Sequence, residues 1–119
     1  MKYDHSKFKS NCKFIEQITV EYNKAKMTLQ NKEKLKKISL IKEEGGYYSI
    51  TDEKCNSYSY FIQHVNNVLN MLDPIYREFI INDFLYKAKP FWWVNCYSKS
   101  SYYRNKTKAL EMFIHYYKL

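Results

Sequence analysis

The chain has 119 residues, 45% of them hydrophobic and 27% charged, with a formal net charge of +8. That length is about one ordinary domain, and the apolar share excludes a fully disordered chain. Two glycines and two prolines are too few for the many tight turns of a sandwich or barrel, which points to an all-α fold with few connections.

Thirteen tyrosines and seven phenylalanines pull weakly toward strands. Lys, Tyr, Ile, Asn and Phe together make 58 of the 119 residues, and all five have AT-rich codons. A genomic bias therefore accounts for part of the Lys and Tyr excess. The distribution of charge says more than its total. Residues 1–38 carry a net +6, residues 39–85 a net −4, and residues 86–119 a net +6.

In chain order, Phe14, Ile15, Ile18, Tyr22, Ala25 and Leu29 form a helical stripe. Helix is predicted from Ser10 to about Leu29, with Lys32 to Lys37 continuing or fraying. Ile38 to Thr51 places two β-prone runs around KEEGG, a hairpin signature. An isolated hairpin is marginal in water, so a loop of extended character with a hinge at Gly45-Gly46 is expected. Tyr58, Phe61, Ile62, Val65, Val68, Leu69 and Leu72 predict a second helix over about 56–72. His64 lies beside that stripe and reads as a partly buried interface residue, since a metal site needs further ligands at suitable spacing.

Asp73-Pro74 is a strong helix start, with Asp as N-cap and Pro at the first position. The helix it opens carries Ile75, Phe79, Ile80 and Phe84 on one face and runs to about Tyr86. Arg77 reads as a surface ion-pair residue within reach of a nucleic-acid backbone. Lys87 to Pro90 is a break, and Phe91 to Tyr97 is predicted as a short apolar helix. Ser98-Lys99-Ser100 then forms a turn, and the last helix runs to about Tyr117 with Ser100 and Ser101 as natural N-caps. Its apolar face is Tyr102, Ala109, Met112, Phe113 and Tyr116. Lys99, Arg104 and Lys108 fall on or beside the opposite face.

Two short helices around a tight turn are the layout of a helix-turn-helix, whose second helix enters the major groove. Lys99, Ser100, Tyr103 and Arg104 are placed to approach bases. Arg104 leads them, because a guanidinium can bridge guanine O6 and N7. Lys106 and Lys108, with Lys89 ahead of the motif, suit phosphates, which position without specifying sequence. Trp92 and Trp93 either stack on single-stranded bases or fill the core of the motif, and the second reading is favoured because adjacent tryptophans in an apolar run bury surface.

Cys12, Cys55 and Cys96 are odd in number and lack CxxC spacing, so neither a zinc site nor a disulfide framework is implied. The charged N-terminus predicts no signal peptide, and no run approaches the roughly 18 apolar residues of a membrane span. A cytoplasmic setting with no membrane partner is expected. No Gly-rich phosphate loop, HExxH or GxSxG occurs. His5, His64 and His115 are far apart in sequence, and no enzyme activity or cofactor is expected.

The stretch LDPIYREFIINDFLYKAKPFWWVNCYSKSSYYRNKTKALEMFIHYY resembles the C-terminal region of phage ArpU-type late transcription regulators. Through them it is similar to region 4 of sigma-70 factors, and small mollicute sigma-like proteins share its size and composition. The likeness covers roughly residues 58–118. It implies DNA binding by the last helix, with Lys99, Ser100, Ser101 and Arg104 standing where sigma-like proteins meet a promoter element, and a role in transcription beside RNA polymerase or a sigma factor. No counterpart of sigma region 2 is visible, so a regulator fits better than a complete sigma factor.

The expectation is an all-α protein. Residues 1–55 form a basic helix and connector, and residues 56–119 a sigma-region-4-like helix-turn-helix domain. Its partner is double-stranded DNA, with RNA polymerase, a sigma factor or a second protomer facing the acidic middle. The alternative is a helical protein-interaction module without direct DNA readout.

Overall fold

A computed structural model describes the backbone of residues 5–42 and 52–119, and the side chains of residues 5–33 and 56–119. The described residues are mostly helical with no strand, the all-α class that the scarcity of Gly and Pro implies. Helix α1 spans His5–Lys42, α2 spans Asp52–Met71, α3 spans Pro74–Ile80 and α4 spans Lys99–Tyr117. Helix α3 runs on without a break into a π-helical turn, Ile81–Leu85. No helix among the described residues is long and apolar enough to cross a membrane.

Each helix contributes the stripe that its 3.6-residue period dictates. Ile15, Ile18, Tyr22 and Ala25 of α1 are buried, as are Val65, Val68, Leu69 and Leu72 from the α2 end. Phe79, Ile80 and Phe84 enter from α3 and its π turn, and Tyr102, Ala109, Leu110 and Phe113 from α4. All but Ala25 belong to one continuous cluster, so residues on both sides of position 55 share a core. Val20 stays 66% exposed, and Ile75, expected on the face of Phe79, Ile80 and Phe84, stays 52% exposed at the first turn of α3.

Polar contacts fix how the helices meet. Tyr22 Oη donates to Asn66 Oδ1 at 2.8 Å, linking α1 to α2. His64 Nε2 donates to the carbonyl oxygen of Tyr117 at 3.0 Å, and the edge of the Tyr117 ring meets Phe14 at 5.8 Å between centroids. The end of α4 is thus held between α1 and α2, and His64 is the partly buried interface residue its position suggests. Arg77 turns back along the chain to the end of α2. Its Nε donates to the carbonyl of Leu69 at 2.8 Å, and one terminal nitrogen reaches those of Asn70 at 3.3 Å and Leu72 at 3.1 Å. These carbonyls lie at the end of α2, where a helix runs short of donors; Leu69 O accepts from Leu72 N at 3.2 Å as well, and Arg77 is a cap rather than a surface ion-pair residue.

Four local expectations change. Helix α1 extends to Lys42, so Ile38 to Ile41 is helical instead of extended. Adding a residue to an existing helix gains one bond per residue fixed, which outweighs the mild β preference of ISLI. The remainder of the loop, with Gly45-Gly46, lies outside the described residues. Asp73 does precede Pro74, but its side chain makes no capping bond. The N-cap of α4 is Ser98, whose Oγ accepts from Ser101 N at 3.2 Å, instead of Ser100 or Ser101.

The fourth change concerns Phe91 to Tyr97, which forms successive turns and no helix. Its bonds mostly close three-residue spans, Trp92 N to Lys89 O, Val94 N to Phe91 O and Cys96 N to Trp93 O. Phe91 has φ +61°, outside the right-handed region that a helix requires. Residues 86–98 are therefore a connector built of successive turns rather than a short helix and a tight turn.

Replacing Arg77 with Ala should destabilise the fold by about 1–3 kcal/mol in urea denaturation, since part-buried carbonyls lose their donor. Arg77→Lys should recover little, because a single ammonium lacks the planar fork that spans several acceptors.

Candidate nucleic-acid interface

The candidate surface starts from a charge in an unexpected place. Asp83 lies four residues beyond Phe79, on the buried stripe, and Lys106 lies four beyond Tyr102 and three before Ala109. Both charges therefore face inward. Asp83 Oδ1 accepts from Trp92 Nε1 at 2.7 Å, and Oδ2 accepts from Tyr102 Oη at 2.5 Å. Lys106 Nζ is 3.3 Å from the same Oδ2, and the two side chains are only 18% and 11% exposed. The ammonium also lies 5.4 Å from the ring centroid of Phe84, 5.5 Å from that of Tyr102 and 5.8 Å from that of Phe8.

This cluster corrects the sequence reading of Lys106 as a phosphate contact. Its cation is neutralised by Asp83 and ringed by aromatic faces. Burial, and next the hydrogen bond to Asp83, push the phenol of Tyr102 far above the ordinary tyrosine range. Burial likewise raises the thiol of Cys12, with nearby Lys106 opposing the shift and Glu16 and Asp83 adding to it. Trp93 stacks on Tyr102 at 4.2 Å and 15°, while Phe79 meets Trp92 edge-on at 5.3 Å. Both tryptophans are thus turned toward the core, the reading favoured over base stacking.

The remaining sequence-predicted residues lie around this cluster. Lys89, Lys99, Ser100, Tyr103, Arg104 and Lys108 are exposed. Ser101 is half-buried, and its carbonyl accepts from Asn105 Nδ2 at 2.9 Å. Tyr103 is shared between two roles, 40% exposed yet edge-on to Phe8 at 6.3 Å. Lys108 sits 5.5 Å over the ring of Tyr76 on the α3 side. On the other side, Lys7 of α1 lies 3.7 Å from Glu111. Ser100, Arg104 and Lys108 recur at four-residue spacing on the outer face, and that stripe stays open between its two flanks.

Between Asp83 and Glu111 the chain has six basic residues and no acid. One of them, Lys106, is internally paired; Lys87, Lys89, Lys99, Arg104 and Lys108 face solvent. Two contributors escaped the sequence reading. Lys87 reads from the sequence only as part of a break, and no motif singles out Asp83. The signal for Asp83 was its register, an acid where the stripe calls for an apolar residue. Among the described residues, no group of His, Cys, Asp and Glu could hold a metal ion.

Comparison of the chain with protein-family models, with curated proteins and with solved structures finds no match.

Asp83→Ala should cost roughly 2–4 kcal/mol in denaturant titration, because it leaves a part-buried ammonium without its counter-charge. The double variant Asp83→Ala/Lys106→Met should be more stable than Asp83→Ala alone. The folded state also holds the Tyr102 proton more tightly than the unfolded chain does. Its contribution is complete below the unfolded tyrosine value of about 10 and is lost as pH rises beyond it. Tyr102→Phe should therefore flatten the alkaline limb of a stability–pH curve.

Proposed function

We propose that the protein binds duplex DNA through the outer face of α4, with the major groove receiving Ser100, Tyr103 and Arg104. Lys89, Lys99 and Lys108 would then lie on phosphates. The observation that carries this reading is the acid-free stretch between Asp83 and Glu111, five of whose six cations are exposed. Exposed cations along a packed helix and its adjoining connector match a phosphate track. The motif would be a helix-turn-helix variant. Helix α3 with its π turn would brace α4, and residues 86–98 would replace the short turn.

Regulation of transcription follows from the resemblance to ArpU-type and sigma-region-4 sequences. In that role the acidic middle of the chain would face RNA polymerase, a sigma factor or a second protomer. A helix that reads one half-site gains specificity when two copies bind together.

The test is duplex binding followed by fluorescence anisotropy at several salt concentrations. Arg104→Ala and Lys108→Ala should each weaken binding and lower the salt slope by about one. Lys106→Met, measured where the variant is folded, should leave that slope unchanged. Duplex affinity that is absent at low salt, or indifferent to both Arg104→Ala and Lys108→Ala, would overturn the proposal and favour the protein-interaction module.

A further inference from the structure

Phe91 departs from the two tryptophans that follow it. Trp92 and Trp93 pack against the core, while Phe91 is 68% exposed. Its φ of +61° lies in the left-handed region, which a bulky side chain rarely occupies and which glycine enters freely. Lys87, in the same connector, also has positive φ, at +37°. A Gly at position 91 would make the same turn with less strain.

The turn that presents Phe91 is anchored on both sides. Trp92 N bonds to Lys89 O at 3.1 Å, and Val94 N to Phe91 O at 3.0 Å. Trp92 is tied through its indole to Asp83 at 2.7 Å. Trp93 stacks on Tyr102 in the first turn of α4, and the ring of Phe91 lies 6.1 Å from that of Trp93. An aromatic face is thus held outward next to the start of α4, with Lys87 and Lys89 before it and Lys99 after it, all exposed.

A ligand for this tip must offer a flat apolar face and negative charge on either side. A nucleobase within its own phosphate backbone supplies both. An acidic protein would meet the charge requirement, but the cations continue from the connector along α4 through Arg104 to Lys108, as a phosphate chain would demand.

We propose that Phe91 is a stacking wedge that packs against an unpaired or unstacked base beside the duplex lying along α4. An aromatic wedge that enters a base step must first unstack it, a cost that a site already unstacked does not carry. The favoured ligand is then DNA with a local interruption of stacking, such as a bulged base, and not an uninterrupted duplex. The inference rests on the DNA-binding reading above.

The experiment uses the full chain and two labelled DNAs of about three helical turns, one intact and one with a single bulged 2-aminopurine. The bulged DNA should bind at least roughly fivefold more tightly, the lower end of what one stacked base contributes, with quenching of the 2-aminopurine fluorescence. Phe91→Ala should abolish the preference and the quenching while leaving affinity and salt slope on intact DNA unchanged. Phe91→Trp should retain both. Phe91→Gly should abolish both while keeping or raising the melting temperature, which separates stacking from any part Phe91 plays in the turn. Equal binding of the two DNAs, or a preference that survives Phe91→Ala, overturns the wedge and leaves duplex binding intact. Failure to bind either DNA at low salt overturns both proposals.

Discussion

A carboxylate removed from water must recover in hydrogen bonds and opposite charge what it loses in hydration. Asp83 does so with three donors drawn from two segments, the Trp92 indole of the connector and the Tyr102 hydroxyl and Lys106 ammonium of α4. A cluster of this kind has few arrangements that satisfy every member. Greasy surfaces could slide; this cluster sets α4 in one register against α3 and ties the connector to both. Everything on the candidate surface takes its position from that arrangement. Trp92 is anchored by it, Trp93 lies on the ring of Tyr102, and Phe91 projects from between those anchors and Lys89.

Helix α1 completes the arrangement from the side. Phe8 covers the Lys106 ammonium and leans on Tyr103, so the first turns of α1 close one edge of the cluster. The exposed Lys7–Glu111 pair contributes little to stability. Its effect is on charge, since Glu111 is the one acid of α4 and Lys7 offsets it.

The helices were legible because each carries a stripe at the helical period. Val65, Val68, Leu69 and Leu72 predict their own burial, as do Ile15, Ile18 and Tyr22. The charge of Lys106 points to a phosphate contact, but its register, between Tyr102 and Ala109, places it on the inner face. Asp83 is obscured in the same way. The stretch from Phe91 to Tyr97 is ambiguous in principle, since a short apolar run suits a short helix and a string of turns equally well. Tertiary contacts accompany the turns: Trp92 bonds to Asp83 and Trp93 stacks on Tyr102. At Ile38 to Ile41, β-branched residues suggested extension, but the helix that precedes them simply continues.

The cap formed by Arg77 bears on what the protein could recognise. The chain has two arginines, and one of them is committed to the carbonyls at the end of α2. Arg104 is the sole guanidinium left facing outward. In the DNA-binding reading, each chain then carries one rigid two-pronged reader, enough to name a single base pair, or about two bits of sequence information. A longer address would draw on the less exacting contacts of Ser100 and Tyr103, on several chains, or on features of the duplex other than the letters of its bases.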